Sequence, residues 1–244
     1  KNLIEHLRRD ESIKLYLFSK NDSTDILKAY VKEVNFIYHL AGVNRPKNIN
    51  EFYEGNSGLT KIITDTLIED DINTPIVLSS STQSDLDNDY GKSKKEAEDL
   101  LLNYAKQTNA SIYIYKLPNV FGKWSKPNYN SVISTWCHNI ANDLDIQVND
   151  KNVELNLVYI DDVVNKFIKC LNDDTKSGYI EIDTIYNKTL GEISELLYQF
   201  KDNRNSLIIP NVASGFERAL CSTYLSYLST DNFSYNLKGH QDDR

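Results

Sequence analysis

The chain alternates short apolar runs with longer segments in which apolar residues return every three or four positions, the spacings of buried strands and of amphipathic helices. Ile13–Ser19 (IKLYLFS) reads as a short strand, and DSTDILKAYVKE after it has helical spacing with Asp22 or Ser23 as the cap. Val34–Gly42 (VNFIYHLAG) reads as a second strand, and after a polar loop a helix is predicted from about Asn56 through GLTKIITDTLIED. Thr74–Ser81 (TPIVLSSS) is a third strand, entered through a proline. Asp89–Gln107 is a long helix with Ala97, Leu101, Leu102 and Ala105 on one face, and Ala110–Gly122 (ASIYIYKLPNVFG) is a fourth strand. Past Gly122 the pattern loosens. Asn128–Asn142 looks helical, IQVND and LNLVYI look like short strands, and DDVVNKFIKCLND, TLGEISELLYQF and FERALCSTYLSYL look like helices. The last residues, NLKGHQDDR, read as a frayed end or the start of a further segment.

Near-continuous apolar strands separated by helices predict an α/β fold whose parallel sheet is covered on both faces. Right-handed crossovers then give a doubly wound, Rossmann-like arrangement, with ligands beyond the carboxyl ends of the strands. Residues 1–122 are expected to form a dinucleotide-binding domain, and residues 123–244 a smaller substrate-side lobe with elements returning to the main sheet. Ser19–Lys20, Ala41–Gly42, Ser79–Ser81 and Pro118–Asn119 all follow predicted strands directly, which is where such a fold places its chemistry.

Composition narrows the classes. A net charge of −8 argues against a duplex nucleic-acid binder, which needs a basic face. Cys137, Cys170 and Cys221 are widely spaced and include no C-x-x-C, so neither zinc nor a disulfide framework is expected, and buried thiols in a reducing cytoplasm are. No run approaches the length of a membrane span, so a soluble protein with no membrane partner is expected. The chain starts at Lys1 and contains no methionine, which suggests that processing or truncation has removed a start. KNLIEHLRRDES reads as a helix already under way, with Leu3, Ile4 and Leu7 on one side. No G-x-x-G-x-x-G precedes it, so the first strand and glycine turn of a dinucleotide-binding sheet are expected to be missing. These 244 residues alone are then expected to bind a dinucleotide poorly.

Within VLSSSTQSDLDNDYGKSKKEAE, helical spacing puts Tyr90 and Lys94 on one face, directly after the serine-ended strand. Tyr-x-x-x-Lys alone carries little weight in a chain with 16 tyrosines, and a second example, Tyr16 to Lys20, falls within a predicted strand. The residue types nevertheless suit proton transfer. An adjacent ammonium favours a phenolate, and a serine hydroxyl can hold a carbonyl oxygen beside the phenol, so that proton transfer accompanies hydride transfer. The competing reading is that the serines solvate a strand end and Tyr90 merely packs.

The ordered set HLAGV, Asn56 at a helix start, the strand-end SSS, YGKSK, PNVFG and LVYIDDV resembles the extended short-chain dehydrogenases/reductases. HLAGVNRP, KLPNVFGKW-x-KPNYNSVI, IQVND-x-NVEL and STYLSYL more narrowly resemble the capsular-polysaccharide enzyme family called CapF or WbjC. That resemblance implies Ser81, Tyr90 and Lys94 as the catalytic residues: Ser81 holds the carbonyl oxygen, Tyr90 protonates the alkoxide, and Lys94 lowers the phenol's pKa and binds the nicotinamide ribose. It implies that Ser79 and Ser80 line the nicotinamide, with Leu40, Ala41, Gly42 and Pro118 near the cofactor, Asn56 supporting the site and Asn119 beside the sugar nucleotide. Lys116 stands where many relatives have arginine, and Leu155 replaces an arginine common in relatives.

The narrower family is two-part, a reductase domain followed by a cupin. It uses NADPH to reduce the 4-keto group of a UDP-linked 6-deoxy-N-acetylhexosamine, a step towards N-acetyl-L-fucosamine. Ser19 and Lys20, at the end of the predicted strand before the first capped helix, suit a 2′-phosphate better than an acid would. No metal is expected. A 4,6-dehydratase is disfavoured because Thr82 and Gln83 stand where an Asp–Glu pair would be needed. An NAD-retaining 4-epimerase and a non-catalytic remnant that holds no cofactor remain the alternatives. Relatives dimerise through the helices that follow Asn56 and Asp89, so a homodimer is implied.

Overall fold

The computed structural model describes residues 1–172, 175–213 and 215–232. NLKGHQDDR and the last residue of DDVVNKFIKCLND lie outside them. In chain order the elements are α1 (Asn2–Leu7), α2 (Thr24–Glu33), β1 (Ile37–His39), α3 (Asn50–Tyr53), a π-helical turn (Glu54–Gly58), α4 (Leu59–Glu69), β2 (Ile76–Ser81), a 3₁₀ turn (Thr82–Asp85), α5 (Asp89–Thr108) and β3 (Ile112–Leu117). There follow β4 (Asn119–Phe121), α6 (Val132–Ala141), β5 (Glu154–Tyr159), α7 (Ile160–Leu171), β6 (Gly178–Ile180), β7 (Tyr186–Thr189), α8 (Leu190–Ser206) and α9 (Gly215–Leu225). These divide into two compact units, each discontinuous in sequence. One comprises Leu3–Pro118 with Val163–Asp183; the other comprises Lys1–Asn2, Asn119–Asp162 and the chain from Thr184 onward.

The first unit is built on a four-stranded sheet in the order β1-β2-β3-β6, parallel throughout. Parallel neighbours need crossovers, and the crossover helices cover the sheet, which is why Ile76, Val77, Leu78, Ile112, Tyr113 and Ile114 can all be apolar in consecutive positions and all buried. Ile76, Leu78, Ile112 and Ile114 pack with Leu27 and Val31 of α2, Ile63 and Leu67 of α4, and Ala97, Leu101 and Tyr104 of α5. Tyr38 and Tyr115 lie ring-to-ring on Phe167 of α7, at 6.3 and 4.9 Å between centroids. Each buried Leu or Ile here stabilises the fold by about 1.5–3 kcal/mol relative to exposure. Ser23 caps α2 through its side chain, which accepts from the Ile26 N–H.

The second unit contains a three-stranded sheet, β4-β5-β7, in which β4 and β5 run parallel and β5 and β7 antiparallel. Its core is aromatic, with Phe121, Trp136, Phe200, Phe216 and Tyr224 buried among Ile133, Ile140, Ile193 and Leu197.

Several predicted elements change. Ile13–Ser19 is not a strand: it joins no ladder among the described residues, and Leu17 is half exposed. Strand propensity needs a neighbouring edge to become a strand. The same holds for IQVND, which pairs with nothing described. The run Ala110–Gly122 is two strands, because Pro118 lacks the N–H that a continuing ladder requires, and β4 turns to pair with β5 instead of β2. Helical structure begins at Asn50, and Asn56 lies inside the π turn instead of opening a helix. The helix predicted from Asn128 starts at Val132, where Ser131 supplies the cap. β6 and β7 had no counterpart in the sequence reading.

Candidate active site

Ser81 ends β2, and the chain turns at once through Thr82–Asp85 into α5. Two local features bring Tyr90 back towards that serine. Asn88 caps α5, its side chain accepting from the Gly91 N–H at 2.8 Å. A side chain at Gly91 would collide with the Gln83 and Leu86 carbonyl oxygens, so only glycine lets the first turn of α5 sit this tightly on the 3₁₀ turn.

The phenol of Tyr90 is half-buried and lies beside the Ser81 hydroxyl. Burial pushes its pKa up, and the Ser81 hydroxyl only partly offsets this. The sequence led us to expect an acidified phenol; desolvation decides the direction instead. One helical turn on, Lys94 is 5% exposed and its ammonium donates to the Ser79 carbonyl oxygen at 2.7 Å. Burial lowers the pKa of Lys94 to about 8, against the opposing pull of Glu98. The ammonium has three donors, and the two not directed at Ser79 remain for other partners.

Asn56, 2% exposed, accepts from the Val43 N–H at 2.9 Å and donates to the Val43 carbonyl at 3.1 Å and to the Ser93 hydroxyl at 2.9 Å. Ser93 in turn donates to the Tyr90 carbonyl at 2.8 Å. The π turn aims Asn56 this way, and the amide thereby ties the loop after β1 to the first turn of α5. A methyl group at Gly42 would stand 2.9 Å from Asn56 Oδ1 and 3.6 Å from Lys94 Nζ. Leu40, Ala41 and Gly42 are exposed immediately past the buried end of β1.

The structure gathers Ser79, Ser81, Tyr90, Lys94, Gly42 and Asn56 around one end of the parallel sheet. The other candidates lie differently. Ser80 turns its hydroxyl inward to the carboxylate of Glu98. Ser19 and Lys20 occupy an exposed turn before α2, where Ser19 donates to Asp22 through its N–H at 2.7 Å and its hydroxyl at 2.9 Å. Pro118 ends the first segment of the first unit, and Asn119 belongs to the second unit, where its amide donates to the Asn156 carbonyl at 3.3 Å. Lys116 pairs with Asp85 at 2.5 Å. Leu155 packs against the aromatic core of the second unit.

Sequence reasoning passed over three residues. His39, 4% exposed, is joined through Nε2 to Thr60 Oγ1 at 2.9 Å, while Thr60 donates to the Asn56 carbonyl at 2.9 Å. Because the threonine proton is engaged, the imidazole must be the donor at Nε2. Burial first, and then the charge of Lys94, push its pKa down to about 3, so it is neutral. Glu98 and Gly91 are the others; a carboxylate on the face of α5 that carries Ala97 and Leu101 was a visible signal for Glu98.

Among the described residues no group of three His, Cys, Asp or Glu side chains could hold a metal, and no helix is long and apolar enough to cross a membrane.

A parallel sheet carrying a serine at one strand end, with a tyrosine and a buried lysine one turn apart on the next helix, defines the architecture of a nicotinamide-dependent short-chain oxidoreductase. The chain belongs to the NAD dependent epimerase/dehydratase family, whose model matches residues 4–182. It is an extended member of the short-chain dehydrogenases/reductases, and the narrower resemblance to CapF holds along the whole chain. A UDP-2-acetamido-2,6-beta-L-arabino-hexul-4-ose reductase from Pseudomonas aeruginosa is 42% identical over 245 residues, covering 100% of this chain and 66% of that protein. The capsular polysaccharide assembling protein CapF from Staphylococcus aureus superposes with a TM-score of 0.90 at 42% identity, over 100% of this chain and 66% of its own. The chain thus spans just under two thirds of these relatives. A UDP-glucuronic acid 4-epimerase from Bacillus cereus shares the fold at 15% identity, with a TM-score of 0.72 over 92% of this chain and 83% of its own. Family membership implies a nicotinamide cofactor.

Proposed function

We propose that these residues form the reductase part of an enzyme that reduces the 4-keto group of a UDP-linked 6-deoxy-N-acetylhexosamine with NADPH, for capsular polysaccharide built on N-acetyl-L-fucosamine. The reading is of a cytoplasmic homodimer whose complete chain carries a cupin domain. The observation that carries it is the cluster of buried Lys94, half-buried Tyr90 and Ser81 at one sheet end.

The residues fit a nicotinamide nucleotide. Gly42 is a position that a side chain would crowd against Asn56, leaving bare backbone at the rim, and Lys94 has two donors for the ribose hydroxyls. When bound, the nicotinamide supplies the hydride. Everything else falls to side chains of this protein. The Ser81 Oγ already accepts the Gln83 N–H at 3.2 Å, which orients its own proton outward to the ketone oxygen or the phenol. Burial keeps Tyr90 protonated at neutral pH, the form that a reduction requires, because the phenol must give a proton to the alkoxide as it forms. The ammonium of Lys94 then stabilises the phenolate left behind. Its pKa of about 8 keeps it largely charged at neutral pH and close enough to titration to pass a proton on.

Exposed Lys20 supports NADPH over NADH, while Ser19 has both its donors engaged by Asp22. The assignment of Asn119 to the sugar nucleotide rests on the resemblance alone. The test is stoichiometry in the intact protein: one NADPH oxidised for each 4-keto sugar reduced. Conversion of a UDP-sugar to its 4-epimer with no net oxidation of added NADPH would overturn the reading in favour of an epimerase.

A further inference from the structure

Glu98 has no part in the reaction just described, yet it is 0% exposed and lies one turn beyond Lys94 and two beyond Tyr90 on α5. Its carboxylate draws in three strands of the sheet. Ser80 of β2 donates its hydroxyl to Oε1 in a close contact. Tyr179 of β6 donates its hydroxyl to Oε2 at 2.9 Å. The ammonium of Lys116, on β3, stands 3.9 Å from Oε2.

Ser80 lies between Ser79, whose carbonyl receives Lys94, and Ser81, whose hydroxyl meets Tyr90. The helix is therefore tied to the tip of β2 at two points four residues apart, about 6 Å along its axis. Neither tie can slip without breaking the other, and the offset between the phenol and Ser81 follows from both. We propose that Glu98 is a positioning residue: by pinning α5 to Ser80 and Tyr179, it sets where Tyr90 and Lys94 stand against Ser81. This rests on the catalytic reading of Tyr90 and Lys94 given above.

A buried carboxylate is an inefficient way merely to hold a helix, because apolar residues of the same volume commonly serve as well or better. Glu98 also compensates Lys94 electrostatically. The charged and titratable groups around the pair are His39 from β1, Lys116 from β3, Tyr179 from β6, and Lys95 from α5 itself. Losing the carboxylate charge removes support for the ammonium, which in turn supports the phenolate.

The test uses the intact protein with Glu98→Gln and Tyr179→Phe. Two readouts are made: the pH profile of kcat with KM for the sugar nucleotide, and the titration of the Tyr90 phenol by NMR of carbon-labelled tyrosine, assigned with Tyr90→Phe. Glu98→Gln presents an amide donor to one of two hydroxyl donors. It is expected to lower kcat about tenfold with KM within about twofold, to move the upper limb of the pH profile, which follows Lys94, to lower pH, and to move the Tyr90 titration down, since a negative charge opposing the phenolate is lost. Tyr179→Phe keeps the charge but frees one side of the carboxylate, and Tyr179 is 47% exposed, so the variant should fold. About a threefold loss of kcat with a displaced Tyr90 titration is expected, and it decides the matter if Glu98→Gln does not fold. Unchanged titration and pH profile in both variants, with only thermal stability altered, would overturn the proposal and leave Glu98 a fold stabiliser. Should the parent protein oxidise no NADPH, the catalytic reading fails by itself, and the phenol titration still decides the role of Glu98.

Discussion

Two stretches of the chain carry a tyrosine followed four residues later by a lysine, and the structure treats them in opposite ways. Tyr16 lies in an irregular segment and Lys20 in the exposed turn that follows, so no helix brings the two side chains onto one face. Tyr16 instead accepts from Lys14 at 2.6 Å and donates to Glu33 at 3.0 Å, all at the surface. Tyr90 and Lys94 lie on one face of a capped helix, beside a serine-ended strand and largely out of water. The same spacing is chemistry in one place and surface packing in the other. Burial and a strand end make the difference.

Lys94→Met should break that contrast most severely. It removes the charge that supports the phenolate, and kcat in the intact protein should fall by about 10²–10³-fold, measured as steady-state NADPH oxidation. Lys20→Met tested in parallel should leave kcat unchanged.

Acid should expose the burial of the same region through His39. Its folded pKa of about 3 lies below the unfolded value near 6.5. Between those values the unfolded chain binds a proton that the native chain refuses, so stability falls as pH drops through that window. The loss should reach roughly 3–5 kcal/mol at pH 3. Urea unfolding across pH would show it, and His39→Gln, which keeps a donor for Thr60, should lack that component.

Asn56→Ala should destabilise the fold by about 2–3 kcal/mol, because it strips the partners from the N–H and carbonyl of Val43. Tyr16→Phe, which loses only exposed bonds, should change stability by less than about 0.5 kcal/mol in the same thermal melts. A modest effect is expected on Lys20. Its replacement by methionine should raise KM for NADPH about two- to fivefold while leaving KM for NADH unchanged, in line with loss of one surface charge facing a 2′-phosphate.

Much of this site was legible in the sequence because local rules generate it. A serine cluster ending an apolar strand, and a tyrosine and lysine one helical turn apart, are both short-range patterns, and the parallel sheet followed from the run of apolar strands. What escaped depends on distant partners. Glu98 finds Ser80 and Tyr179 across 18 and 81 residues of sequence. Gly91 is required by two carbonyls that the 3₁₀ turn brings to it, and no periodicity reports such an approach. The false strand at Ile13–Ser19 had the right composition and no described neighbour to pair with. The direction of the Tyr90 shift was missed for a related reason, since the sequence displays a nearby lysine but not the depth at which the phenol is buried.

Replacing Tyr90 with phenylalanine in the intact protein, and following oxidation of NADPH by the 4-keto UDP-sugar, tests the account most directly. With Tyr90 as proton donor, turnover should fall to the background rate while nucleotide affinity stays within about twofold. Turnover at the parental rate would contradict it, and would mean that the proton reaches the sugar oxygen by another route.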